Sequence, residues 1–221
     1  MNFPLRAGAW VLAAQLAGCT SIEPAKLSDA WAATLRNQPV AVVIQEPSTF
    51  GVMRERDVAL GPAGILLMNA QGEHLRKSAR IDDPADAIAT TLGELLAGQH
   101  GALLLPARAA TPRDEPEAIL AVAPRDARYV LTVATVSWGL QRIPVKNAPY
   151  SVTYVARARL IDAQTRAVIA EGGCLQMPDG TEFESTSYGD FTADGAATLK
   201  TELAKRVARC THFIERDMLG L

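Results

Sequence analysis

Residues 150–170 read YSVTYVARARLIDAQTRAVIA, and their alternation settles the kind of fold this chain can adopt. Tyr150, Val152, Tyr154, Ala156, Ala158 and Leu160 fall on one side of an extended chain, while Ser151, Thr153, Arg157 and Arg159 fall on the other. A period of two with one apolar side predicts a strand packed on a core and wet on its far face. Asp162-Ala163-Gln164-Thr165 follows as a tight turn, and Ala167–Ala170, continuing towards Met177, returns as a partner strand. Upstream, Tyr129–Trp138 carries the same β-branched and aromatic character. The three segments predict an antiparallel meander.

Working outward, Leu199, Leu203, Val207, Cys210, Ile214 and Met218 recur at three and four residues, opposite Glu202, Lys205, Arg206, Arg209 and Glu215. This is an amphipathic helix closing the chain. Towards the N-terminus, Val40-Ala41-Val42-Val43-Ile44 is a short, wholly apolar run, as expected of a strand covered on both faces and stopped by Pro47. Asp57–Ile81 has Ile65, Leu66, Met68 and Leu75 at helical spacing, weakened by Gly61, Gly64 and Gly72. Asp83-Pro84 starts a second helix on Ile88, Leu92, Leu95 and Leu96, running to Ala97 with Gly98 beyond its end. Ala102–Leu105 before Pro106 predicts a second buried strand, 107–114 a surface loop, and Pro116–Ala123 a short helix. The fold class expected is therefore α+β: a mixed sheet with a C-terminal three-stranded antiparallel meander, helices packed on it, and a closing C-terminal amphipathic helix.

The first residues do not belong to that fold. Arg6, an apolar run from Ala7 to about Ala14 and small residues before Cys19 make 1–18 a signal peptide, too short and too interrupted by Gln15 to span a bilayer. Leu16-Ala17-Gly18-Cys19 resembles the lipobox of bacterial lipoproteins. That resemblance implies a diacylglyceryl group on the Cys19 sulfur, cleavage before it, and acylation of the new amino terminus, so that the chain is held to a membrane by lipid. One acyl chain binds only marginally, and two or three make release negligible. Thr20 stands where an Asp would signal inner-membrane retention, so the resemblance implies the periplasmic face of the outer membrane. Residues 19–39 are then a lipidated tether, with a helical turn or two over 28–35 capped by Ser28, and 40–221 a single periplasmic α/β domain.

An oxidising periplasm is where two further cysteines, Cys174 and Cys210, are expected to be bridged. A structural zinc site is the competing reading, but no close second ligand accompanies either cysteine and His212 stands two residues from Cys210. The bridge would join the closing helix to the third strand of the meander.

The order of elements resembles the periplasmic α/β domain of the curli-secretion channel lipoprotein and of the lipoprotein activators of peptidoglycan synthases. Ala127–Val133, Val155–Thr165 and Val168–Glu171 carry the likeness. It implies an envelope module and transfers no functional residue. No pair of long alternating hairpins is available for a transmembrane barrel.

The formal net charge of −2, with both signs interleaved, provides no basic patch and disfavours nucleic-acid binding. His74, His100 and His212 are scattered, and there is no HExxH, GxSxG, Walker loop or CxxC. Asp179-Gly180-Thr181 reads as turn chemistry rather than an aspartic-protease loop. No catalytic residue, metal site or cofactor is expected. Arg157 and Arg159 could hold an acidic ligand, or form a solvated ladder with Glu171.

Two classes of function follow. One is a non-catalytic, lipid-anchored interaction module docking on an envelope assembly or secretion partner, or on copies of itself. The other is an envelope hydrolase or small-ligand carrier with a site built from dispersed residues. An exposed apolar patch would favour the first, a pocket of converging polar groups the second. The connection 139–149 is longer than a hairpin requires, which makes Trp138, Leu140, Arg142 and Ile143 candidate partner anchors. The alternative is that this connection folds back and closes the core.

Overall fold

The computed structural model describes residues 22, 24–54, 57, 59–112, 114–142, 149–176 and 186–221. Twelve elements follow in order: α1 (Asp29–Thr34), β1 (Pro39–Gln45), β2 (Gly51–Met53), α2 (Pro62–Ala79), α3 (Ala85–His100) and β3 (Leu103–Thr111), then α4 (Pro116–Val122), β4 (Tyr129–Arg142), β5 (Tyr150–Asp162), β6 (Val168–Gln176), α5 (Tyr188–Thr192) and α6 (Ala197–Ile214). A single wider turn, Glu215–Leu219, ends α6. The six strands form one mixed sheet in the order β3-β1-β4-β5-β6. The β3, β1 and β4 pairings are parallel, and β4-β5-β6 is the antiparallel meander. β2 joins β4 in parallel along the same edge that β1 uses further back, so that Val40–Ile44 pair Tyr129–Val133 and Gly51–Met53 pair Gly139–Gln141.

β1 is apolar throughout because both of its faces are covered. Val40 and Val42 belong to the main core with Leu92, Leu96, Leu131, Leu160, Leu199 and Ile214, under α3 and α6. Ala41 and Val43 belong to a smaller cluster on the opposite face, with Ile119 of α4, Val130 and Ile161. Cys174 of β6 and Cys210 of α6 are disulfide-bonded with 5.2 Å between their Cα atoms. In the chain-entropy account, closing such a loop stabilises the fold by ~4 kcal/mol.

Four expectations need correction. The domain starts before residue 40: Ala25 exchanges two backbone hydrogen bonds with Glu171, Leu27 N–H donates to Met218 O, and both Leu27 and Leu35 are buried. The expected tether is therefore docked from Ala25 onward, with Ser28 capping α1 through Trp31 N–H. β3 runs through Pro106 to Thr111; it is an edge strand with Leu103 and Leu104 exposed rather than a buried one, and the register slips between Val40/Leu104 and Val42/Arg108, so the proline removes no ladder bond that the sheet needs. α3 continues past Gly98 and stops at Gly101, whose φ of 68° supplies the left-handed cap. Finally, the far face of β5 is not wet, because the chain after β3 covers Arg157 and Arg159.

Candidate functional site

The candidate anchors of the β4–β5 connection separate into three cases. Trp138 and Leu140 are 2% and 1% exposed. β4 does not end at Trp138 but continues to Arg142, and β2, a strand of three residues, pairs with that extension. The Trp138 indole N–H donates to Ser48 O at 2.7 Å, and its ring meets Phe50 edge-on at 5.0 Å. These two side chains close the core, so they do not present themselves to a partner. Arg142 ends β4 opposite Tyr150 and is half-buried. Ile143 lies outside the described residues, as does Cys19.

Three clusters of polar groups lie along the sheet. Asp162 is fully buried. Burial alone would raise its carboxyl, but hydrogen bonds from Arg128 and from Thr165 and Gln164 N–H outweigh this and hold it below the usual range. This makes the DAQT turn an Asx turn clamped by a guanidinium. Asp83, one residue before the N-cap Pro84 of α3, accepts from Ala85 N–H and from Thr135, whose hydroxyl also meets the Tyr154 phenol at 3.1 Å. Desolvation pushes the carboxyl of Asp83 and the phenol of Tyr154 up.

The third cluster is Arg157 and Arg159, 8% and 7% exposed. Both guanidiniums bind Asp114, which also accepts from Gln45 Nε2 at 2.8 Å. Desolvation lowers both arginines, and at Arg157 the neighbouring Arg159 charge adds to it. An adjoining cavity of about 370 Å³ is lined by Gln45, Ser48, Pro112, Asp114, Thr135 and Arg157. A larger groove of about 490 Å³ between α2 and α5 is lined by Arg54, Gln71, His74, Ser78, Tyr188 and Thr192. Among the described residues no three His, Cys, Asp or Glu side chains converge as metal ligands, and no helix is long and apolar enough to cross a membrane.

What the sequence did not suggest lies at the start of α2. Leu60, Ile65, Leu66 and Leu67 are 52%, 57%, 72% and 43% exposed. Helical spacing led to the expectation that Ile65 and Leu66 face inward, yet the inward positions are Gly64, Gly72, Leu75 and Ala79. A Cβ at Gly64 would overlap the Asp57 backbone, and one at Gly72 would overlap the Phe50 carbonyl. The helix thus approaches the chain before it through its glycines and turns its large residues out. The uncharged run from 58 to 72 was the available signal.

No family model matches the chain, and no curated protein does. Among solved structures it is similar to the PelC dodecamer from Paraburkholderia phytofirmans, at 16% identity and a TM-score of 0.30, covering 90% of this chain and 94% of that one. It is also similar to lipoprotein GNA1162 from Neisseria meningitidis, at 12% identity and a TM-score of 0.25, covering 76% and 99%. The hypothetical protein CT253 from Chlamydia trachomatis aligns at 14% identity and a TM-score of 0.23, over 80% and 98%.

Proposed function

We propose that this chain is a non-catalytic module of the bacterial envelope, lipid-anchored through Cys19 on the periplasmic face of the outer membrane. It docks there on an envelope assembly or secretion partner or on copies of itself. The observation that carries the reading is the exposed apolar start of α2. Exposed leucines on successive positions are a contact surface, whether what they meet is a protein or the lipid that holds the anchor. Asp162, Asp83 and Asp114 each satisfy structural donors. The lipobox supplies the anchor, and the docked segment from Ala25 places the folded body within a few residues of it.

A small-ligand carrier is the second reading, favoured by the cavity beside Arg157 and Asp114.

Replacing Cys19 with Ser tests the anchor. Fractionated envelopes are expected to hold an unprocessed or mislocalised precursor. Efficient outer-membrane localisation of that variant would overturn it.

A further inference from the structure

We propose that the start of α2, with Leu60 ahead of it, is a second membrane contact, seated in the lipid surface that holds the Cys19 acyl chains. The inference rests on the anchor reading and adds to it an orientation for the domain.

The topology brings the two features to one end of the sheet. Ala25 pairs antiparallel with Glu171, so the chain read back from Ala25 towards Cys19 runs towards the Gln176 end of β6. Ile22 continues that course, its side chain lying where a Cβ on Gly173 would be. Gln176 pairs Tyr154 on β5, whose first residue, Tyr150, pairs Arg142 at the end of β4. Cys19 stands three residues before Ile22, a reach of at most ~10 Å. An acyl group on Cys19 is therefore tethered within that reach of Ile22.

α2 projects at the same end. Its Gly72 packs on Phe50 and Gly51, and Gly51 pairs Gly139. The helix then stands antiparallel to β2, because its later residue Ala79 and the following Asp83 lie further down the sheet, Asp83 meeting Thr135. At about 1.5 Å per residue, Ile65 stands ~10 Å beyond Gly72, level with the Arg142 end of β4. Leu60, Ile65, Leu66 and Leu67 are exposed there, and Leu175, also exposed, lies on β6 at the same end.

The chemistry of the surface fits lipid. No charged residue occurs from 58 to 72, and the first turn of α2 holds no acid to repel anionic headgroups. Arg54 stacks on the Tyr188 ring at 4.4 Å, and Tyr188 meets Tyr150 at 5.6 Å, at the margin of the same end. Aromatic and basic side chains around an apolar tip are the composition of a membrane interface. A body leashed this closely keeps its nearest apolar surface against the bilayer continuously, whereas a soluble partner has to find it.

The test uses the acylated mature protein in vesicles of phosphatidylethanolamine and phosphatidylglycerol containing a phospholipid with a photoactivatable acyl chain. After flotation and irradiation, tryptic peptides are searched for lipid adducts. The peptide Asp57–Arg76 carries the whole of the α2 surface and is expected to be labelled, while Thr201–Lys205 of α6, whose leucine is buried against the sheet, is not. Leu66→Ser, at a site that leaves the core untouched, is expected to lower the Asp57–Arg76 labelling with the melting temperature unchanged. Floating protein with adducts only on the peptide that begins at Cys19 overturns the contact and leaves the anchor standing. Protein that neither carries lipid nor floats overturns the anchor, and this inference falls with it. Equal labelling of both interior peptides also overturns it, since no face is then preferred.

Discussion

α2 and α6 are each 18 residues long and lie on the same side of one sheet, yet they use their apolar residues in opposite ways. α6 buries Leu199, Leu203, Cys210 and Ile214 and turns Lys205 and Glu202 out, where they pair with each other. α2 buries two glycines, an alanine and one leucine, and leaves its large side chains to solvent. The difference lies in what each helix packs on. α6 lays its large residues over the small ones of β5 and β6, among them Ala156, Ala158, Ala170 and Gly172, which leave them room. α2 rests on the backbone of residues 50, 51 and 57, where no side chain fits between. Closeness of approach, not hydrophobicity, sets which face of α2 is inner.

Breaking the staple beneath α6 is expected to have the largest effect. Converting Cys174 and Cys210 together to Ser should cost ~2–5 kcal/mol, measured by urea unfolding against the oxidised parent. An unchanged midpoint would mean that α6 is held by packing alone. Gly72→Ala comes next. Its methyl group meets the Phe50 carbonyl, a backbone atom that cannot swing aside, so a loss of ~1–3 kcal/mol is expected by the same measurement. If Gly72→Ala is neutral, or stabilising as in an ordinary helix interior, the close approach of α2 is wrong.

A matched pair of leucines, one on each helix, sharpens the contrast, and its second member gives the smallest effect. Leu203→Ser on α6 should cost ~2–4 kcal/mol through a buried cavity and an unpaired hydroxyl. Leu66→Ser on α2 should stay within ~0.5 kcal/mol. Equal costs would erase the distinction between the two helices.

These helices also show how far the sequence could be read. The three- and four-residue spacing of α6 and the alternation of β5 were legible because each element buries side chains in register with its own period. The DAQT turn was legible from residue type alone. α2 was legible as a helix but not in its orientation, since Gly64 and Gly72 read as weaknesses when they are its points of contact. β2 is three residues long and carries no periodicity, so nothing in the sequence announced that it extends β4. Trp138 and Leu140 could therefore be read as rim or as core, and they are core. The covering of Arg157 and Arg159 depends on a carboxylate 43 residues before Arg157, a tertiary event that local pattern cannot report. Pro106 misled in the usual way, by being tolerated on an edge.

The pairing of Ala25 with Glu171 has a consequence for how the molecule keeps to itself. A sheet has two open margins, each with unpaired N–H and C=O groups that invite another chain. At β3 the margin is interrupted by Pro106 and a slipped register. At β6 it is occupied by the segment that leads to Cys19, bonded to Glu171 in both directions. The stretch that leads to Cys19 is also a guard strand. Trimming the chain to Pro24 would leave that guard in place, whereas trimming it past Leu27 would uncover the β6 margin and open it to strand exchange with a neighbour.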